Sequence, residues 1–488
     1  MGVYELKDNR MVCWDNFLID KMDNADIVMH KPNKKELVFT ANQLWEGNVT
    51  GYARLLKVGD TYRLYYRGGN IIYHEDGSAN YGPNVLAFCI AESKDLKSFK
   101  RMKINRHAYD GIIDNNIFHL ELRDNFSIFY DENPDCPKEE KFKALSMSYE
   151  HEEGGHGLAM YVSEDGIDFK RKMKLPIPGT FDSYNVMLWD KETKQYFFFY
   201  RAEHRVDFGD IEFDVFQKAR EIHREVRVCT TKDFENFEYF GELDYMGDEY
   251  PMQFYTNQIE KYYRTKDMFI GFPARYIDHW DNEENFKYLP LPERHKFMTE
   301  RFGREGTALT DCSIITSRDG YHFNKCNEAF LTPGIEANNN WWYGNCYTAY
   351  GMVETPSDIE GEPNEISFIN GDNYRIKAID YYRYTIRLDG FFSWYAKYKG
   401  GNILTKPFTF EGNELEINFA SSAFGGIKIV ICDEDGNAIE GYESIKHIGD
   451  NVNRKIDFKK PLSELNGKPV RLSIELSDCD LYSFKFNK

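Results

Sequence analysis

The sequence predicts an all-β protein, a five-bladed β-propeller followed by a β-sandwich. Three observations lead there. One turn motif recurs four times, a longer aromatic hairpin precedes each copy, and helical periodicity is nearly absent.

The turn reads "SKDLKSF" at 93–99, "SEDGIDF" at 163–169, "TKDFENF" at 231–237 and "SRDGYHF" at 317–323. Each copy follows an apolar run: "VLAFCIAE", "GLAMYV", "VRVCT" or "CSIIT". Asp favours the turn, Gly tolerates positive φ, and the closing aromatic packs back onto the hairpin. Copies without Gly, at Leu96 and Phe234, are expected to use a different turn type. The four aspartates, Asp95, Asp165, Asp233 and Asp319, read as structural.

Upstream of the copies lie "GYARLLKVGDTYRLYYRG", "NFSIFYDENPDCPKEEKFKALSMS", "YNVMLWDKETKQYFFFYRA" and "YTNQIEKYYRTKDMFIGFPARY". Together the two hairpins make one four-stranded antiparallel unit. A fifth first hairpin, "CYTAYGMVETPSDIEGEPNEISFIN", is followed by "YRYTIRLDGFFSW" as a third strand. The blades are expected to begin near Thr50, Asn125, Tyr184, Tyr255 and Cys346. Either N-terminal run, "NRMVCWDNFLID" or "KELVFT", is available to close the ring on the last blade. A decorating helix is expected over 210–226, where Phe213, Phe216, Ala219 and Ile222 fall at helical spacing. Residues 278–306, rich in charge and aromatics, read as an insertion in blade four.

After Trp394 the pattern changes to short alternating strands with Gly-Asn and Asp-Gly turns, the signature of a β-sandwich. The expected division is a propeller over 1–392 and a sandwich over 393–488. The sandwich either braces the propeller or carries a homo-oligomer contact; it shows no aromatic stripe that would argue for sugar binding.

The chain has 488 residues and a formal charge of −19, which argues against a nucleic-acid partner, because phosphate backbones need a cationic surface. Its nine cysteines are scattered without a CxxC pair, the pattern of reduced thiols, neither a disulfide framework nor a zinc site. No apolar leader and no 18-residue apolar run occur, so no membrane partner and a cytoplasmic location are expected. "HEEGGHG" at 151–157 lies in a Gly-rich connection, and "DEDG" at 433–436 is a hairpin turn without the ligands of a calcium loop. No metal or other cofactor is expected.

In a propeller the inner strands start around one mouth, so polar residues just before each first strand are brought together. Blade one offers Glu46 and Asn48 and blade two Arg123, Asp124 and Asn125. Blade three offers Asp182, Tyr184 and Asn185, and blade four Glu249, Gln253, Tyr255 and Asn257. Blade five offers Trp341, Trp342, Tyr343 and Asn345. Carboxylates and amides bond hydroxyls, and aromatic faces stack on sugar rings. The tryptophans and Tyr343 equally suit core filling between blades, and Asn257 equally suits bonding to a neighbouring blade's backbone.

The arrangement resembles the five-bladed propeller glycoside hydrolases, the invertase-like family 32 and the arabinanase/xylosidase family 43. It is most similar to family-32-like glycosidases with a C-terminal β-sandwich. The segments that carry the resemblance include "NFLIDKM", "WEGNVTGY", "FDSYNVMLWD", "TDCSIITSRDGYHF", "NWWYGN" and "GKPVRLSIELSDCDLYSFKF". The "NDPNG", "RDP" and "EC" motifs of the invertase type are missing, so roles transfer by blade position alone. The resemblance implies paired-carboxylate cleavage of a glycosidic bond in short oligosaccharides. On that reading Glu46 is base or nucleophile, Asp182 the acid or its tuner, and Asp124 stabilises the positive transition state. Arg201, Glu203, His204 and Arg275 leave the second strands of blades three and four as further candidates. Two alternatives stay open. One is a glycoside phosphorylase whose phosphate cradle would draw on Arg123, Arg201, Arg264 and Arg275. The other is a sugar-binding propeller without catalysis.

Overall fold

The computed structural model describes residues 3–121, 125–148, 157–205, 222–246 and 252–488. The chain is all-β. Five antiparallel meanders follow one another, each with its first strand at one edge of its sheet. The first runs through Gly51–Val58, Thr61–Tyr73, Ala79–Ser93 and Ile117–Glu121, with Lys100–Arg101 also paired to Ala79–Ser93. The second is built from Ser127–Tyr130, Phe142–Ser148, Gly157–Ser163 and Lys170–Leu175, and the third from Val186–Asp190, Gln195–Arg205, Ile222–Thr231 and Phe237–Glu242. The fourth contains Glu260–Lys261, Phe269–Gly271, Ile315–Ser317 and Phe323–Lys325, extended by a three-stranded sheet of Gln253–Phe254, Ala274–Asp278 and Ala308–Cys312. The fifth has Val353–Thr355, Glu365–Asp372 and Ile379–Arg387, and its fourth strand is Asn33–Ala41 from the other end of the chain. Of the two N-terminal runs, "KELVFT" is therefore the one that joins the last unit.

The first strands of the first four units touch in order, and Glu365–Asp372 of the fifth touches Gly51–Val58 of the first. Between the fourth and fifth, Gln258 donates to the Thr348 carbonyl at 2.8 Å. Between the fifth and the first, Leu55 N–H bonds the Tyr350 carbonyl at 2.8 Å and Tyr350 N–H the Ala53 carbonyl at 2.7 Å. Side chains of different units pack against one another. Arg54 lies 3.9 Å from the Tyr350 ring centroid and 4.0 Å from Glu260, and Tyr184 stacks on Tyr52 at 5.6 Å. Burial raises the Glu260 carboxyl to about 7, with Arg54 opposing the shift.

All four repeated turns share one geometry, including the two without glycine. The residue at the turn's fourth position is left-handed in each: Leu96 (φ 64), Gly166 (φ 75), Phe234 (φ 63) and Gly320 (φ 80). This corrects the expected change of turn type at Leu96 and Phe234. The Ser or Thr that opens the turn accepts the N–H of that residue at 2.9–3.0 Å. The Asp accepts the next N–H at 2.8–2.9 Å. These bonds, with a fully buried Leu96 side chain, offset the strain of a Cβ at positive φ. The backbone N–H groups also hold the Asp95 and Asp233 carboxyls below their ordinary range.

The last sheet joins nine strands and does not respect the expected division at 392/393. Arg10–Val12, Ile19–Asp23 and Ala25–Met29 are paired into it beside Phe392–Ala396, Gly401–Thr405, Glu414–Cys432 and Arg471–Asn487. Its core follows strict alternation: Leu472, Ile474 and Leu476 are buried while Ser473 and Glu475 face outward. Asp389 fastens this sheet to the fourth unit. The carboxylate accepts from Tyr262 (2.6 Å), Arg264 (2.8 Å) and Ser483 (2.6 Å), with Arg10 at 3.5 Å.

The expected helix over 210–226 falls largely outside the described residues, and Ile222–Thr231 is strand because it pairs along its whole length with Gln195–Arg205. The insertion after Asp278 is helical, with a 3-10 segment Trp280–Tyr288 and an α-helix Pro292–Phe302. No helix among the described residues is long and apolar enough to cross a membrane.

Candidate functional site

The structure shows what each described candidate side chain is bonded to. The five asparagines bond backbone groups. Asn125 and Asn185 donate to the Phe181 and Ser183 carbonyls, and Asn257 to those of Tyr184 and Phe199. Asn48 brackets Ile71 through both its N–H and its carbonyl, and Asn345 accepts the Trp342 N–H. Each pins a backbone segment that enters the mouth. Trp342 is core, its ring 4.1 Å from that of His295, and Tyr184 is buried against Tyr52 and Tyr350.

Glu46 is completely buried, and both its oxygens are engaged. Arg101 donates to Oε1 at 2.9 Å and to Oε2 at 2.6 Å, Tyr66 to Oε1 at 2.6 Å and Gln43 N–H to Oε2 at 2.8 Å. That is a closed ion pair inside the first unit, with no free lone pair for a sugar. Arg275 is likewise held by Asp311 through two bonds of 2.6 and 2.5 Å, and Arg264 by Asp389. The phosphate cradle expected from them does not assemble. Arg123, Asp124 and Glu249 lie outside the described residues, as does most of "HEEGGHG".

What the structure does bring together is Asp182, Arg201, Glu203, Tyr255 and Tyr343. Arg201 is 2% exposed. Its Nη1 donates to the Tyr255 carbonyl at 2.8 Å and its guanidinium lies 4.8 Å from the Tyr255 ring centroid. Its Nε is 3.6 Å from Asp182 Oδ1 and 3.8 Å from Glu203 Oε1, beyond hydrogen-bond range, and neither Nε nor Nη2 is hydrogen-bonded. The Asp182 side chain is 43% exposed, while Oδ1, the oxygen that faces Arg201, is buried and not hydrogen-bonded among the described residues.

Several contributors were not legible beforehand. Arg224 sits over Tyr276 (4.7 Å) and Tyr255 (5.8 Å), and Gln253 receives one of its N–H groups at 3.0 Å. The helical insertion packs on this side. Arg294 donates to the Arg375 carbonyl at 2.6 Å, Phe302 meets Tyr73 edge-on at 4.8 Å, and Arg304 and Glu305 follow the helix into the mouth. Arg304 lies 5.6 Å from both the Tyr276 and Tyr343 rings, and Arg375, paired to Glu305 at 2.5 Å, lies 4.8 Å from Tyr343. Burial works to raise the Tyr343 phenol, but Arg304 and Arg375 bring it below its ordinary value. Tyr255 stacks on Tyr347 at 5.7 Å and meets Tyr343 edge-on at 5.9 Å. The result is an aromatic floor edged by guanidinium groups, with two carboxylates on one side.

No protein-family model matches the chain, and no curated protein matches it. Solved structures with a similar course include members of the GH130 family of mannoside phosphorylases and glycoside hydrolases. The likeness there is 11% identity, TM-score 0.41, over 77% of this chain and 96% of the other. The GH32 beta-fructofuranosidase of Bombyx mori is 10% identical, TM-score 0.37, over 94% of each chain. An alpha-L-arabinanase of Penicillium chrysogenum is 10% identical, TM-score 0.37, over 72% of this chain and 98% of the other. At these TM-scores the likeness carries no argument, and the reading of the site rests on its own geometry.

Proposed function

We propose that the chain is a carbohydrate-active enzyme that cleaves a glycosidic bond in short oligosaccharides at the mouth of a five-bladed β-propeller. The last sheet, with the N-terminal strands woven into it, is proposed to be a bracing β-sandwich. The observation that carries the reading is the pair Asp182 and Glu203 on either side of one Arg201 nitrogen, next to the Tyr255 ring. Two carboxylates sharing a nitrogen at 3.6 and 3.8 Å are closer than the widest spacing, about 9.5 Å, that such a pair uses. Tyr255 and Tyr343 supply faces for a sugar ring. Asp182, the more exposed, protonates the leaving oxygen. Glu203 takes the base or nucleophile place that Glu46, spent on Arg101, does not fill. Asp124 keeps its proposed role of stabilising the positive transition state.

The test is turnover of a broad panel of aryl glycosides and short oligosaccharides, with and without inorganic phosphate. Sugar release is expected to fall by about 10²–10⁴-fold in Asp182→Asn and in Glu203→Gln. Wild-type rates in both variants would sink the assignment. If sugars bind but no glycoside is cleaved, the non-catalytic propeller takes its place.

A further inference from the structure

The mouth contains more positive charge than bond cleavage in a neutral sugar requires. Arg224 is 6% exposed, and neither it nor Arg304 has a carboxylate within ion-pair distance among the described residues. Both guanidiniums instead rest on tyrosine rings, and both bear on the Tyr276 phenol, Arg304 reaching its hydroxyl at 3.4 Å. A cation withdrawn from water without a counter-ion is costly, and a ring quadrupole replaces only part of the lost hydration. The chain carries 80 acidic residues against 61 basic ones, so a counter-ion was available to sequence choice. Elsewhere it was used, as on Arg264, Arg275 and Arg383, each held by at least one carboxylate. Arg201 adds two more nitrogens without a hydrogen-bond acceptor among the described residues beside the same Tyr255 ring.

We propose that Arg224 and Arg304 form an oxyanion site at the mouth, which takes either a carboxylate borne by the sugar itself or free phosphate. Planar guanidiniums bind both anions through paired N–H bonds. Tyr255 and Tyr276 would hold the ring that carries or adjoins the anion. Arg304 comes from the insertion, as the first residue of the short helix Arg304–Thr307 that follows Pro292–Phe302, and not from a strand. The proposal deepens the reading above and relies on it for where the scissile bond lies, but anion capture is measured without turnover, so the two fail separately.

Calorimetric titration of the full chain with methyl glucuronide and galacturonide, the matching neutral methyl glycosides, and inorganic phosphate decides it. At least one anion is expected to bind roughly ten-fold or more tightly than the neutral isosteres, with affinity falling as salt rises. Preference for a uronide identifies the sugar's own carboxylate, and phosphate binding alone identifies a co-substrate. Arg304→Ala and Arg224→Ala should each lose the preference while keeping neutral-sugar affinity, and Arg304→Lys should keep part of it. Equal affinity for charged and neutral ligands in the wild type, or no anion binding at all, overturns the proposal even if a variant fails to fold.

Discussion

Asp389 and Arg201 are both buried charges near a seam of the molecule, and they are treated in opposite ways. Around Asp389 every lone pair has a donor: Tyr262, Arg264, Ser483 and Asn418 come from three separate stretches of chain, with Arg10 in ion-pair range. Burial alone would push that carboxyl up, but Arg264 and Arg10 hold it below the ordinary range. Around Arg201 the fold supplies two carboxylates and then stops short of bonding them, leaving Nε and Nη2 unused. A satisfied buried charge fastens elements together; an unsatisfied one is held ready for something that arrives later. Glu46 belongs with Asp389, and Arg224 and Arg304 belong with Arg201.

The contrast breaks down if removing a charge of each kind has the same effect. Asp389→Ala removes the carboxylate hydrogen-bonded to Arg264 and leaves the Tyr262 and Ser483 hydroxyls without their acceptor, and should destabilise by about 3–5 kcal/mol in a denaturant melt. A loss under 1 kcal/mol would show that the junction is held elsewhere. Glu260 is an intermediate case, 15% exposed with Arg54 at 4.0 Å. Its carboxyl sits at about 7 in the fold against 4.5 unfolded, so the fold holds that proton more tightly. Its contribution is complete below pH 4.5 and is lost as pH rises through 7, by roughly 3 kcal/mol. Glu260→Gln should therefore gain melting temperature over wild type as pH increases across that window. A difference that stays flat with pH would refute it. Arg304→Met, which removes an unpaired cation at similar volume, should be neutral or up to about 2 kcal/mol stabilising. Destabilisation there would place Arg304 with Asp389. Smallest is Ser317→Ala, which strips the Gly320 N–H of its acceptor and should cost about 1 kcal/mol by the same melt.

The repeated turn was readable because its bonds are local: Ser317 to Gly320 and Asp319 to Tyr321 span two or three residues. The positions of the hairpins followed from it. The turn conformation at Leu96 and Phe234 was not readable, since a side-chain bond and burial override the residue preference for negative φ. The role of the asparagines was hidden for a related reason. A residue just before an inner strand is as useful for pinning backbone as for touching substrate, and the two uses look alike in a sequence. Arg224 and Arg304 escaped notice because they sit on a third strand and in an insertion, whose distance from the ring axis depends on packing. The weaving of residues 10–29 into the last sheet rests on pairings such as Arg10 with Lys485, far beyond any local pattern.

That weaving has a consequence for synthesis. Asn33–Ala41 finds its partner only when Ile379–Arg387 has emerged, and Arg10–Val12 waits for Arg471–Asn487. A nascent chain therefore trails unpaired strand edges, Val38 and Phe39 among them, for most of its translation. Such edges recruit other strands unless they are shielded. The ribosome must release almost the whole polypeptide before the ring can lock, so yield in a cell should depend on holdase capacity more than on the stability of the finished protein.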